Sequence, residues 1–161
     1  MFGLLVWISY FKPMKFITLS LLLLFTSPLF ADIVVIGNLQ NSNPVMSARD
    51  VQEIYMGRKR GLADNAIAYP IDNSDLRQAF YKHLTDRPIA QINAYWARLK
   101  FSGHRTQPEI LSDTADIINK VKANKNAIAY INDQQLKESE VRILFVIKDS
   151  DGKYKDASLT P

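Results

Sequence analysis

The chain has 161 residues, a formal net charge of +4 and no cysteine. With 47 % hydrophobic and 22 % charged residues it is neither a disordered chain nor a multi-span membrane protein. The lack of cysteine excludes disulfide scaffolds, thiolate metal sites, iron–sulfur clusters and thiol nucleophiles together, and two histidines, His83 and His104, leave little for an imidazole metal site.

The chain opens with an address. Phe16 to Phe25 (FITLSLLLLF) is too short an apolar run to span a bilayer comfortably. Lys12 and Lys15 precede it, and Thr26-Ser27-Pro28 and Leu29-Phe30-Ala31 follow. That order reads as a signal peptide over 1–31, cut after Ala31, giving an exported, periplasmic product. A second apolar stretch, Phe2 to Phe11, lies ahead of the positive region, so Met14 is the expected true start; an uncleaved N-terminal anchor is the competing reading. Residues 32–161 then form one domain, long enough to bury a core without disulfides. This part carries 18 Lys and Arg against 16 Asp and Glu. That balance does not suggest a nucleic-acid partner, and the only basic run, Arg58-Lys59-Arg60, reads as a solvated loop.

The elements follow in order. Ile33 to Ile36 (IVVI) is a strand buried on both faces. Residues 38–44 are turn-forming. Ser47 opens a helix with Asp50 as its capping-box partner and Met46 stapled to Val51; Gly57 ends it. Ala66 to Asp72 alternates, which places Ile67, Tyr69 and Ile71 on one side of a strand, with Pro70 near an edge or a strand end. Asp72-Asn73-Ser74 are three N-cap types ahead of a helix carrying Leu76, Ala79, Phe80 and Leu84. A third helix runs from Pro88 through Ile92, Trp96 and Leu99 to Gly103, and Ser112 or Asp113 caps a fourth. Ala127 to Ile131 and Val141 to Ile147 are strands, and Asp151-Gly152 marks a turn. Strands alternating with helices predict an α/β domain with a mainly parallel sheet flanked by helices.

In such sheets, ligands bind beyond the C-terminal strand ends, where helices start. The junction Ile71-Asp72-Asn73-Ser74-Asp75-Leu76-Arg77 is such a place. Helix-start N–H groups, the Ser74 hydroxyl and the Arg77 guanidinium are donors for an oxyanion. Asp72 and Asp75 repel a bare anion, yet accept a hydrogen bond from hydrogen phosphate, which sulfate cannot supply. Read locally, Asp72, Asn73 or Ser74 simply caps the helix. A second donor group is Phe101-Ser102-Gly103-His104-Arg105, otherwise a helix C-cap. Tyr95 and Trp96 read as core or surface of the lobe. No nucleophile elbow, zinc-protease helix, phosphate loop or dinucleotide fingerprint occurs, so neither an enzyme nor a cofactor is expected.

Four segments taken together resemble a known family. They are Val51-Gln-Glu-Ile54-Tyr55-Met-Gly57-Arg, Ile71-Asp72-Asn-Ser74-Asp-Leu-Arg77-Gln-Ala-Phe80, Trp96-Ala-Arg-Leu-Lys-Phe101-Ser102-Gly103 and Asn126-Ala127-Ile128-Ala129-Tyr130. Their order and spacing are similar to the phosphate-binding subunits of bacterial ABC importers, periplasmic binding proteins of the type II fold. The resemblance implies one lobe of that fold. It also implies a phosphate or oxyanion site at Asp72, Asn73, Ser74, Arg77, Ser102 and Gly103, and an ABC importer as partner. Family members have two lobes; this chain has length for one, resembling the second. Where the family reads Asp-Gly-Ser-Gly-Thr-Arg, this chain has Asp72-Asn73-Ser74-Asp75-Leu76-Arg77. Weak anion binding is the expectation, or binding within a site assembled with a second lobe or copy. A lobe kept as an interaction module without ligand is the alternative.

Overall fold

A computed structural model describes residues 32–41, 45–62, 65–103, 105–136 and 140–148. The expected leader, part of the expected 38–44 turn, His104 and the expected Asp151-Gly152 turn lie outside the described residues. The elements are β1 (Ile33–Gly37), α1 (Ala48–Tyr55), β2 (Tyr69–Asn73), α2 (Arg77–Thr85), α3 (Ile89–Phe101), β3 (Glu109–Leu111), α4 (Thr114–Ala123), β4 (Ala127–Asn132) and β5 (Arg142–Ile147), with a single 3-10 turn over Asp133–Gln135. They build one five-stranded sheet in the order β3-β2-β4-β1-β5. β2 is parallel to β3 and to β4, whereas β1 is antiparallel to both β4 and β5. Four strands therefore point one way and β1 alone runs against them. In strand direction this is the mainly parallel α/β sheet expected, although two of its four ladders, both made by β1, are antiparallel.

Two apolar layers sandwich the sheet. Ile33 and Val35 of β1 face one layer with Ile128 and Tyr130 of β4, under α1, α2 and α3. Val34 and Ile36 face the other with Ala127, Ala129 and Ile131, under Ile117 and Val121 of α4. The IVVI run is continuous because both of its faces are buried. β5 keeps register with β1 as Val35↔Phe145 and Ile36↔Ile143, which bulges out Leu144. The bulged carbonyl accepts the Met46 N–H at 2.7 Å, and the Leu144 side chain joins the α1–α3 layer.

The helix ends follow their local chemistry. Ser47 caps α1 by accepting the Asp50 N–H, and Asp113 caps α4 by accepting the Asp116 N–H. Gly57 turns the chain after α1 at φ +66°, and a Cβ there would stand 2.9 Å from the Trp96 ring. Trp96 is buried; Tyr95 is partly buried and donates its hydroxyl to the Met56 carbonyl at 2.7 Å.

Three sequence expectations need correction. The alternation over 66–72 does not mark one buried side, since Ile67 is 68 % and Tyr69 43 % exposed and only Ile71 is buried. β2 starts at Tyr69, and Pro70 sits at its entry, one residue before the pairing with β3 begins. Asp72 and Asn73 are not caps: both belong to β2, and α2 begins after Leu76 with no side-chain cap. Finally, β3 went unrecognised. Three residues after a proline carry no periodicity, and since helix can follow helix directly, as α3 follows α2, the succession of α3 and α4 does not itself mark a strand.

Candidate functional site

The C-terminal ends of β2, β3 and β4 share one sheet edge, since Asn73 pairs with Leu111 and β4 ends beside the start of β1. α2 and α4 both start at this edge. The turns here expose Ser74, Asp75, Ser112, Asp113, Asp133, Gln134 and Gln135, with no exposed large apolar side chain among the described residues. The edge is polar and acidic.

Beneath the β2–α2 turn lies a closed polar cluster. Asp72 is fully buried and Arg77 is 9 % exposed. Arg77 donates Nε–H to Asp72 Oδ2 at 2.8 Å and Nη1–H to Asn93 Oδ1 at 2.6 Å. The Tyr81 hydroxyl lies 3.2 and 3.3 Å from the two Asp72 oxygens. The Tyr130 hydroxyl lies 3.2 Å from Asp72 Oδ1 and 3.3 Å from the Asn73 carbonyl. The guanidinium also sits 5.4 Å from the centre of the Tyr81 ring, and Phe80 stacks on Tyr130 at 3.6 Å. Arg77 Nη2 is buried with no partner among the described residues.

Burial pushes the Asp72 carboxyl up from its ordinary value, against the pull of Arg77 and the two phenols. Burial, and then the Asp72 charge, pushes both Tyr81 and Tyr130 well up, so they remain neutral hydroxyl donors.

Above this cluster the turn is held by one backbone bond and by its own side chains. Ser74 N–H donates to the Leu111 carbonyl at 2.8 Å, and Asp75 N–H to Asn73 Oδ1 at 3.1 Å. The Ser74 hydroxyl donates to Asp75 Oδ1 at 3.0 Å. The N–H groups of the first α2 turn receive no side-chain cap.

Asp72, Asn73, Ser74 and Arg77 are thus brought together, with Arg77 directed inward to Asp72. Ser102 and Gly103 are not part of the group. They close the far end of α3, and Asn93, which touches Arg77, is near its start. Ten residues of helix separate Asn93 from Gly103, about 15 Å. Gly103 lines a different cavity, with Arg60, Lys100 and Arg105. Tyr81, Asn93 and Tyr130 belong to the cluster but were missed. Tyr81 was one turn beyond Arg77 on the same helix, which was a usable signal; Asn93 and Tyr130 arrive only through tertiary packing.

No family model matches the sequence, and no curated protein matches it. Solved structures do match. An ABC-type phosphate transport receptor from Vibrio cholerae superposes with a TM-score of 0.55 at 12 % identity, over 71 % of this chain and 46 % of that one. A phosphate ABC transporter substrate-binding protein with bound phosphate from Clostridium perfringens gives 0.55 at 18 % identity, over 71 % and 45 %. The fold is that of one periplasmic-binding-protein lobe. The chain spans less than half the length of either receptor.

Proposed function

We propose that this lobe binds phosphate or a related oxyanion at the start of α2, as an exported component working with an ABC importer. The observation that carries the reading is the β2–α2 turn. A helix start without a side-chain cap opens at the sheet edge where α/β ligands bind, beside the Ser74 hydroxyl. The likeness to receptors described as phosphate-binding supports the anion class. Binding is weak, because Asp72 already neutralises Arg77 and Asp75 both repels an anion and occupies the Ser74 hydroxyl. A dissociation constant near the millimolar end, roughly −4 kcal/mol, follows for an open lobe.

Isothermal titration of the chain with phosphate and sulfate tests this. Phosphate should give a measurable binding heat, and Asp75→Gly should tighten phosphate binding several-fold by removing the repelling carboxylate and freeing Ser74. No measurable heat with either protein would leave the interaction-module reading, which the closed Asp72–Arg77 pair favours. The expected leader has its own check: N-terminal sequencing of exported protein should begin at Asp32.

A further inference from the structure

The end of the molecule opposite the acidic edge has a different character. Here β2 enters at Tyr69 and β3 at Glu109, and α3 ends. Arg60, Lys100 and Arg105 line one cavity of about 680 Å³ that contains no carboxylate. Arg60 and Arg105 also line an adjoining groove of about 590 Å³ with Ile67 and Tyr69. The neighbouring acids are already engaged: Asp50 with Lys59, Glu53 with Arg49, and Glu109 with Lys120 and Tyr69. Among the described residues, no ion pair involves Arg60, Lys100 or Arg105.

The two most exposed large apolar side chains among the described residues, Phe101 and Ile67, lie at the same end, with Tyr69 beside them. Phe101, next to Lys100, is 92 % exposed, Ile67 is 68 % and Tyr69 43 %. An aromatic ring left in water costs hydrophobic free energy that a packed lobe normally recovers by burial. Isolated exposed apolar residues are ordinary; exposed apolar tips beside uncompensated cations have a specific physical complement. That complement is an interface that takes apolar groups into hydrocarbon and presents anions at its surface.

We propose that this end of the molecule docks on an anionic lipid surface, with Phe101 and Ile67 entering the headgroup–acyl boundary and Arg60, Lys100 and Arg105 meeting lipid phosphates. The acidic turns at the other edge are repelled by the same surface, which fixes the orientation. The β2–α2 turn then faces away from the lipid and stays open to solvent.

The test is co-sedimentation of the full chain with vesicles of pure phosphatidylcholine and with vesicles containing roughly one-third phosphatidylglycerol. The apolar leader adds the same background to every variant, so the comparison is between variants. The parent chain should prefer the anionic vesicles, and added salt should weaken that preference. The triple variant Arg60→Gln/Lys100→Gln/Arg105→Gln should lose roughly a hundredfold of the affinity for them, taking about fivefold per cation. Phe101→Ser with Ile67→Ser should weaken binding while keeping the salt sensitivity. Unchanged melting temperatures would show that these exposed substitutions leave the fold intact. The proposal is overturned if anionic and neutral vesicles bind the parent equally, or if the triple variant keeps the preference. It is equally overturned if soluble polyglutamate binds while anionic vesicles do not, which would assign the patch to an acidic protein segment.

Discussion

Arg77 shows how a residue with the right chemistry for a ligand is redirected by its own strand. It sits five residues after Asp72, and the β2–α2 turn returns it to that carboxylate at 2.8 Å. Once buried, the pair cannot be broken cheaply, because the remaining charge has no water to receive it. Arg77→Ala should therefore destabilise the protein by about 3–5 kcal/mol, measured by urea denaturation. Tyr130→Phe removes a hydroxyl shared by Asp72 and the Asn73 carbonyl and should cost about 1–2 kcal/mol. Arg77→Ala is consequently a poor probe of anion binding. Asp75, exposed and outside the closed cluster, separates binding from folding.

At the level of elements, the caps behave as local sequence dictates. Ser47 accepts the Asp50 N–H and donates its hydroxyl to the Asp50 carboxylate at 2.6 Å, while Lys59 reaches the other Asp50 oxygen at 2.5 Å. Ser47→Ala should cost about 1 kcal/mol. Lys59, and then Ser47, holds the Asp50 carboxyl below its ordinary value. Such a group contributes stability above its unfolded pKa, about 3.9, and the contribution is lost as pH falls through the lower folded value. Asp50→Asn should thus be slightly less stable than the parent at pH 7, with the two converging in acid; the effect is small because the pair is solvent-screened. Asp72 runs with the opposite sign. Its raised pKa gives a contribution present below the unfolded value and lost as pH rises through the folded one. Gly57→Ala should cost about 1–2 kcal/mol from the left-handed backbone alone, and more as the new Cβ displaces Trp96.

The whole molecule is polarised along its strands. One end carries the β2–α2 turn among carboxylates and amides; the other carries uncompensated cations and exposed apolar tips. Among the described residues no large apolar side chain is exposed in the turns of the candidate edge, so those turns offer little to a partner that would close over them. Sedimentation equilibrium should give the same mass with and without phosphate. A phosphate-driven dimer would show instead that a second copy completes the site. An open site leaves the anion hydrated and screened, so the phosphate affinity of Asp75→Gly should fall as salt rises.

What the sequence determined by itself was local. The IVVI run, the Ser47 cap, a cap at Ser112 or Asp113, the Gly57 stop and the apolar spacing of α3 each depend on contacts within a few residues or on burial alone. So did the α/β class, which follows from element order, and the family resemblance, which placed Asp72, Ser74 and Arg77 at one turn. The tertiary structure decided the rest. The antiparallel place of β1 depends on strands about a hundred residues distant in the chain. Asp72 passed from cap to buried core when Tyr130 and Arg77 closed on it. Ser102 and Gly103 were carried away from the site by the length of α3. Whether a side chain donates to a ligand or to its own fold depends on which neighbours reach it first, and those neighbours are set by packing between elements rather than by spacing within one.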